Sequence, residues 1–138
     1  MQQSEYIPDN HDLYRRALPI QYNKTTGKFT PATFTLRKKE IRRGLGLSVN
    51  WSEYSTPEET SVDPHPNYGG RRLLVGALKA RIPRQQDLKV VHTPNLDNPA
   101  HSEIRGRRLI DSHSRLLVAD ILAENCRPLI TRIEDSNL

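Results

Sequence analysis

The order of apolar and polar residues along this chain predicts a protein that contains several β-strands. The clearest pattern is "LGLSVNW" at residues 45–51, in which every second side chain is apolar. This two-residue period places alternate side chains on a buried face and an exposed face of a strand. Less regular patterns predict further strands at residues 12–18, 32–37, 72–82, 87–92, 100–106 and 129–133.

One short helix is predicted after the clearest strand. Thr56 has the hydroxyl of an N-cap residue, Pro57 suits the first helical position, and Glu59 can complete a capping box. Pro64 lacks a backbone donor and therefore ends this helix after about two turns.

A longer helix is predicted near the C-terminus, within "HSRLLVADILAENC". Asp111 or Ser112 can cap its start, and Pro128 ends it. Helical spacing directs one stripe of side chains toward the core. The stripe consists of Leu117, Val118, Ile121, Leu122 and Asn125. A mainly antiparallel sheet with one long C-terminal helix and one short helix is an α+β fold.

Length and composition favour one modest core. At 138 residues, with 35% hydrophobic and 27% charged residues, the chain has the size of one rather polar domain. We expect residues 11–138 to form this domain and residues 1–10 to be a flexible segment. No apolar run approaches the roughly 20 residues that span a bilayer, and the first residues do not resemble a signal peptide. The sequence therefore predicts a cytoplasmic protein with no membrane partner and leaves its oligomeric state open.

Basic residues are gathered in two parts of the chain. The formal net charge is +5 and the isoelectric point is about 9.6, which favours an acidic partner. Joined on one face, the two clusters would neutralise nucleic-acid phosphates, whereas apart they are solvated connections between strands. The residues predicted to bind nucleic acid are Lys38, Lys39, Arg42, Arg43, Arg105, Arg107 and Arg108. Few aromatic residues interleave with them, so stacking on bases is poorly supported.

The loop "HTPNLDNPAH" at residues 92–101 is bracketed by two histidines. If the flanking strands pair as a hairpin, His92, His101 and Glu103 can converge. Two imidazoles and a carboxylate can bind a divalent metal or share acid–base chemistry on a phosphodiester. These three residues are therefore the catalytic candidates of the sequence.

A second interpretation of the same loop is structural. Asn95, Asp97 and Asn98 are residue types that bond to their own backbone in turns, and the histidines then lie at the surface or at strand ends. The spacing matches no dedicated metal motif, so the sequence predicts no metal and no cofactor.

Another set of residues follows the order used by ADP-ribosyltransferase-like folds. An arginine on the first strand (Arg15 or Arg16), Ser48 on a later strand and Glu103 downstream occur in that order. The similarity in order would imply that the first two hold a dinucleotide and that the acid orients its ribose. The chain has neither a GxSxG elbow nor a glycine-rich phosphate loop, and Cys126 lies deep in the helical pattern as a core residue.

Four stretches, "DLYRRALP", "FTPATFTL", "GLSVNWSEYSTPEE" and "NPAHSEI", resemble a group of short bacterial proteins. The resemblance spans residues 11–105, implies a bacterial single-domain cytoplasmic protein, and transfers no catalytic residue. Small proteins of this kind often act within a multi-gene system. The sequence therefore favours a non-enzymatic accessory module that binds a larger protein, nucleic acid, or both, with its basic loops as the nucleic-acid contact. The alternative is a small enzyme that acts on RNA or a nucleotide.

Overall fold

The computed structural model describes residues 3–133 and is built around an antiparallel sheet of six strands. The strands of the chain are β1 (Asp12–Ala17), β2 (Tyr22–Asn23), β3 (Lys28–Phe29), β4 (Leu47–Trp51), β5 (Leu74–Lys79), β6 (Lys89–His92), β7 (His101–Arg105) and β8 (Arg127–Ile130). The order across the large sheet is β6-β7-β4-β1-β5-β8, and β2 and β3 form a separate ribbon. This mostly antiparallel sheet, together with a few helices, confirms the predicted α+β fold.

Four short α-helices accompany the sheet. They are α1 (Lys38–Arg42), α2 (Pro57–Thr60), α3 (Arg81–Gln85) and α4 (Arg115–Glu124). The sequence predicts α2 and α4 but not α1 and α3, because five residues are too few to establish a helical period. Within residues 3–133, no helix is both long and apolar enough to cross a membrane.

Side chains of the sheet alternate between a core face and an outer face. Leu13 of β1 lies opposite Trp51 of β4 on the core face, and Tyr14 lies opposite Asn50 on the outer face. β1 pairs on its other side with the whole of β5. The core face of β4 carries Leu47, Val49 and Trp51, which are buried as the sequence predicts. Leu45, predicted on the same face, lies before the strand and is 37% exposed.

The core lies between this face and a layer that contains α4. α4 packs against a 3-10 helix at Pro31–Phe34, and both contribute to the same buried apolar cluster as β1 and β4. Phe34 and Leu122 are among its largest fully buried side chains. Burial of one such side chain stabilises a fold by about 1.5–3 kcal/mol.

The inward face of α4 is rotated from the predicted stripe. Val118 and Leu122 are buried as predicted, but Leu117 is 57% exposed. Ala119 and Ala123 are buried in its place. Their small side chains let the helix approach the layer beneath it closely, which a leucine at the same position would prevent.

Residues 32–37 form a 3-10 helix followed by an extended segment, so the strand predicted there is wrong. Pro31 has a fixed φ that suits the first position of a helix. Thr33 and Phe34 are both buried, which a half-buried strand does not allow for neighbouring residues. The carbonyl of Thr33 accepts a hydrogen bond from Nε of Arg15 at 2.9 Å, so a contact distant in sequence fixes this turn.

The Thr56 cap predicted for α2 is present, but within residues 3–133 the Glu59 side chain makes no bond that would complete the predicted capping box. Oγ1 of Thr56 accepts a hydrogen bond from the backbone N–H of Glu59 at 3.1 Å, and Pro57 takes the first helical position. The helix has only four residues, one turn instead of two. The helix ends at Thr60, four residues before Pro64, and Thr60 is buried with its Oγ1 bonded to Asn50 of the sheet.

Replacing Gly76 of β5 with alanine is expected to lower the free energy of unfolding by about 1–3 kcal/mol through overpacking. An added Cβ would lie 2.3 Å from Sγ of Cys126 and 2.8 Å from Cε2 of Phe29. Equilibrium denaturation measures the loss. Removing Sγ of Cys126 makes room for the new Cβ, so Gly76→Ala should cost less stability in a Cys126→Ala background than in the wild type. Unchanged stability of the single variant would contradict the packing described.

Candidate nucleic-acid interface and neighbouring cleft

The first basic cluster of the sequence lies on α1. Residues 37–43 hold five basic residues and one acidic residue, a net charge of +4 in a chain whose total is +5. Lys38, Lys39, Arg42 and Arg43 are exposed. None of these four side chains bonds to another described residue (3–133), so their charges face solvent unpaired.

Glu40, the acidic residue of this cluster, orders the start of α1. Its Oε1 accepts hydrogen bonds from the backbone N–H of Arg37 at 2.8 Å and from Nε of Arg37 at 3.2 Å. Burial by itself raises the pKa of Glu40, but these bonds and the charges of Arg37 and Arg15 outweigh it and hold the pKa below its usual value. The carboxylate thus stays ionised at neutral pH and keeps the helix start ordered.

Two glycines place the end of α1 against β7. Gly44 has a φ of +69° and ends the helix, while the N–H of Leu45 bonds back to the carbonyl of Glu40 at 3.0 Å. A Cβ on Gly46 would lie 2.5 Å from the carbonyl oxygen of Ile104. The "GLG" stretch is therefore a helix stop followed by a close approach to a strand.

This approach brings Arg105, from the second basic cluster, beside the segment that follows α1. A Cβ on Gly46 would lie 2.8 Å from Cγ of Arg105, so Arg105 borders the end of α1. Arg105 and Arg107 are exposed, and Lys89 on β6, which the sequence analysis missed, is exposed opposite Arg105. We define the basic surface as Lys38, Lys39, Arg42, Arg43, Lys89, Arg105 and Arg107.

Arg108 differs from the other predicted phosphate-binding residues. It is half-buried, and its Nη1 donates to the carbonyl of Gln86 at 3.0 Å and to Oε1 of the same residue at 3.3 Å. Arg105 is also paired, through its Nε, with Oε1 of Glu103 at 2.8 Å, but 46% of its side chain remains exposed. Arg108 therefore holds the chain together, whereas Arg105 still presents charge to solvent.

A cleft of about 910 Å³ opens on the outer face of the sheet. Its floor carries one side chain from each of three neighbouring strands: Arg16 from β1, Ser48 from β4 and His101 from β7. One wall is the loop 94–99 and the other includes Pro64. The cleft lies within the size range of small-molecule sites.

Asn50 fixes both walls of the cleft to the sheet. Its Nδ2 donates to Oγ1 of Thr60 at 3.1 Å, and its Oδ1 accepts from Nδ2 of Asn98 at 2.9 Å. Thr60 ends α2 on one side, and Asn98 belongs to the loop on the other. A buried carboxamide in a strand of apolar neighbours was the signal for this site in the sequence, because such a group requires partners.

The loop itself is ordered by local bonds of its asparagines. Oδ1 of Asn95 accepts from the backbone N–H of Asp97 at 3.1 Å and of Asn98 at 2.8 Å. Oδ1 of Asn98 accepts from the N–H of Ala100 at 3.1 Å. These are the turn contacts that the second interpretation of "HTPNLDNPAH" predicts for the two asparagines. The carboxylate of Asp97 makes no such bond within residues 3–133.

The structure does not bring His92, His101 and Glu103 together. His92 lies opposite Ser102 in the β6–β7 pair, so it shares the core face with that residue. His101 and Glu103 alternate with Ser102 along β7 and occupy the outer face. The two imidazoles point to opposite sides of the sheet, and shared acid–base chemistry would require them on one side.

His92 is a bonded core residue that also ties down the N-terminal segment. It is 2% exposed, its Nδ1 accepts from the backbone N–H of Glu5 at 3.0 Å, and its Nε2 donates to the carbonyl of Pro99 at 2.8 Å. Its ring stacks on Tyr54 and meets Trp51 edge-on. The sequence predicts residues 1–10 as a flexible segment. Within residues 3–10, Ile7 is buried in the core.

His101 lies in the cleft with one ring nitrogen engaged. Its Nδ1 lies 3.1 Å from the carbonyl oxygen and 2.8 Å from Oγ1 of Thr93. Because a carbonyl oxygen only accepts, Nδ1 carries the proton. Nε2 bonds to no other described residue (3–133), so it is the nitrogen available to a bound molecule.

The two candidate arginines of the first strand have different roles. Arg15 turns to the core face, where its Nε bonds the carbonyl of Thr33 and its Nη1 bonds the carbonyl of Ser48 at 2.8 Å. Burial lowers the pKa of Arg15 to about 10, which still leaves it protonated at neutral pH. Arg16 faces the cleft, and its Nε donates to the carbonyl of Thr60 at 2.5 Å. Burial also lowers the pKa of Arg16, and the negative charge of Asp63 offsets part of this lowering.

Arg16, Ser48 and Glu103 therefore lie on the same face of three neighbouring strands. Ser48 is directly opposite Glu103 in the β4–β7 pair. Oε1 of Glu103 is committed to the N–H of Gly46 at 3.2 Å and to Arg105. The carboxylate is thus joined to the basic surface, while Arg16 and Ser48 line the cleft.

Comparisons with protein-family models, with curated proteins and with solved structures found no match for this chain. Among residues 3–133, no group of three or more histidine, cysteine or acidic side chains is arranged to hold a metal ion.

Replacing Asn50 with leucine is expected to lower the free energy of unfolding by about 1–3 kcal/mol, because Thr60 and Asn98 lose their buried partner. Urea denaturation measures the change. Ser48→Ala is the matched control on the same strand and face, and should change stability by no more than about 0.5 kcal/mol. Equal effects of the two substitutions would show that Asn50 does not fix the walls.

His92→Ala is expected to cost more stability than His101→Ala. The first substitution leaves the N–H of Glu5 and the carbonyl of Pro99 without a partner, a loss of about 1–3 kcal/mol, besides opening a cavity. His101 is half-buried and gives up only its contacts with Thr93. Thermal denaturation of both variants decides the order, and a larger loss for His101→Ala would contradict it.

Proposed function

We propose that this chain is a binding module whose basic surface holds the phosphate backbone of nucleic acid. The observation that carries the proposal is the concentration of charge on α1. Four exposed cations, three on this helix and Arg43 directly after it, have no protein partner within residues 3–133, and residues 37–43 carry most of the net charge. Phosphate binding is favoured where unpaired lysines and arginines gather, because each contact releases counterions from the nucleic acid.

The position of β7 and β6 supports one continuous phosphate-binding surface. Gly46 holds the end of α1 against Arg105, and Lys89 lies opposite Arg105 on the neighbouring strand. Arg105 and Lys89 therefore lie beside the segment that follows α1, and the proposal places their charges and those of α1 on one surface. Such a surface follows a backbone and does not by itself read bases, so we expect affinity with little dependence on sequence.

Both ends of α1 are held by hydrogen bonds or a helix stop, so its basic side chains extend from an ordered backbone. Its start is ordered by Glu40 and its end by Gly44, so five residues keep a helical backbone with their basic side chains exposed. Because the backbone that carries these side chains is already ordered, less conformational entropy is lost on binding. The proposal therefore depends on the helix as well as on its charge.

The triple variant Lys38→Ala/Arg42→Ala/Arg43→Ala should bind a fluorescent 20-base-pair duplex more weakly than the wild type. Three lost phosphate contacts should flatten the slope of log affinity against log salt by about 2–3. Fluorescence anisotropy over a range of sodium chloride concentrations measures both quantities.

A charge-matched control is the triple variant Lys24→Ala/Arg81→Ala/Arg132→Ala, which also removes one lysine and two arginines from exposed positions. It should keep the wild-type slope, because these residues lie outside the basic surface. Equal losses in the two variants would mean that only net charge matters. A wild type that does not bind the duplex at low salt would refute the proposed function.

A further inference from the structure

The cleft beside the basic surface has two chemically different parts. Its floor is polar, with Arg16, Ser48 and His101, and its walls carry Pro64, Pro94 and Pro99. Proline rings are rigid and apolar, so they offer flat contact surfaces with little entropy to lose. A ligand that uses both parts needs a charged group at one end and a flat, less polar body at the other.

Arg16 sets the charge of that group. Its Nε is held by the carbonyl of Thr60, and its terminal nitrogens have no acceptor among residues 3–133. A guanidinium held on one side presents its remaining N–H groups in a fixed fork, which matches two oxygens of a phosphate or carboxylate. The hydroxyl of Ser48, on the adjacent strand of the floor, also has no partner in the described chain.

Asp97 and His101 define what the rest of the ligand carries. Asp97 lines the cleft with an exposed carboxylate, which accepts hydrogen bonds from hydroxyl or amino groups. The same carboxylate repels an anionic group that lies next to it. Nε2 of His101 adds another hydrogen-bonding atom to the floor. A simple inorganic anion would leave these groups unused, whereas a sugar and a base with amino groups would engage them.

The cleft and the basic surface are parts of one face. His101, Glu103 and Arg105 occupy alternate positions of β7, so they lie on the same side of that strand. Arg105 lies four positions after His101 of the cleft floor, which is about 13 Å along an extended strand. That distance is short enough for a nucleic-acid strand on the basic surface to place an unpaired nucleotide in the cleft.

From this geometry we infer that the cleft binds one nucleoside 5′-phosphate unit, with the phosphate on Arg16 and Ser48 and the base between the prolines of the walls. The inference rests on the proposed function only if the nucleotide is the end of a bound strand. A free nucleotide offers the same chemistry.

The test is isothermal titration calorimetry with adenosine 5′-monophosphate, inorganic phosphate and adenosine as separate probes. Adenosine 5′-monophosphate should bind at least about tenfold more tightly than either fragment, since charge-assisted hydrogen bonds and apolar contacts then act together. Arg16→Gln should weaken its binding by about tenfold or more. Equal affinity for the nucleotide and for inorganic phosphate would overturn the inference.

A second variant covers the case in which Arg16→Gln does not fold. Ser48→Asp adds a carboxylate at an exposed position of the cleft floor, so it should fold and should repel the phosphate. Ser48→Ala, its neutral counterpart, removes the hydroxyl contact without adding charge, so it should weaken nucleotide binding less than Ser48→Asp does. Nucleotide binding that survives Ser48→Asp at full strength would contradict the site.

Two further measurements separate this inference from the proposed function. The Lys38→Ala/Arg42→Ala/Arg43→Ala variant should keep its affinity for adenosine 5′-monophosphate while it loses duplex binding. Duplex binding without nucleotide binding would overturn the cleft site and leave the proposed function standing. A 5′-phosphorylated single strand that displaces adenosine 5′-monophosphate supports a strand end as the ligand, and one that binds without displacing it supports a free nucleotide.

Discussion

The arrangement of the outer face depends on one buried amide. Asn50 is 4% exposed, and a carboxamide in such a position is costly unless both of its ends are bonded. Its two ends reach opposite walls, Thr60 on one side and Asn98 on the other. A single residue in the centre of the sheet thus sets the distance between two segments that are far apart in sequence.

The sequence predicts most of the strands because their signals are local. β4 alternates without a break, and the cap of α2 needs only Thr56 and its next three residues. Where the outcome depends on distant contacts, the prediction fails. Residues 32–37 alternate like a strand, yet the turn at Pro31–Phe34 is held by Arg15. The inward face of α4 was predicted wrongly for a related reason: Ala119 and Ala123 pack against the core, and Leu117 is exposed.

The candidate site likewise has one part that the sequence predicts and another part that only the fold brings together. The cations of residues 37–43 are adjacent in the chain, so the sequence alone reveals them, as it does Arg105 and Arg107. The fold adds Lys89, opposite Arg105. The cleft floor is drawn from β1, β4 and β7, and no local pattern joins these three strands. The two histidines of "HTPNLDNPAH" attract attention as a pair, but alternation along the hairpin separates them to opposite faces. Register, which the sequence left open, decided that outcome.

His92 links two parts of the molecule through the two nitrogens of one ring. Nδ1 holds the backbone of Glu5, and Nε2 holds Pro99 in the wall of the cleft. Each bond restricts the ring for the other, so order in the first residues and order in the loop are thermodynamically linked, and the linkage is reciprocal. A molecule that orders the loop at Pro99 therefore also favours the bond between His92 and Glu5, and loss of that bond frees the ring that holds Pro99.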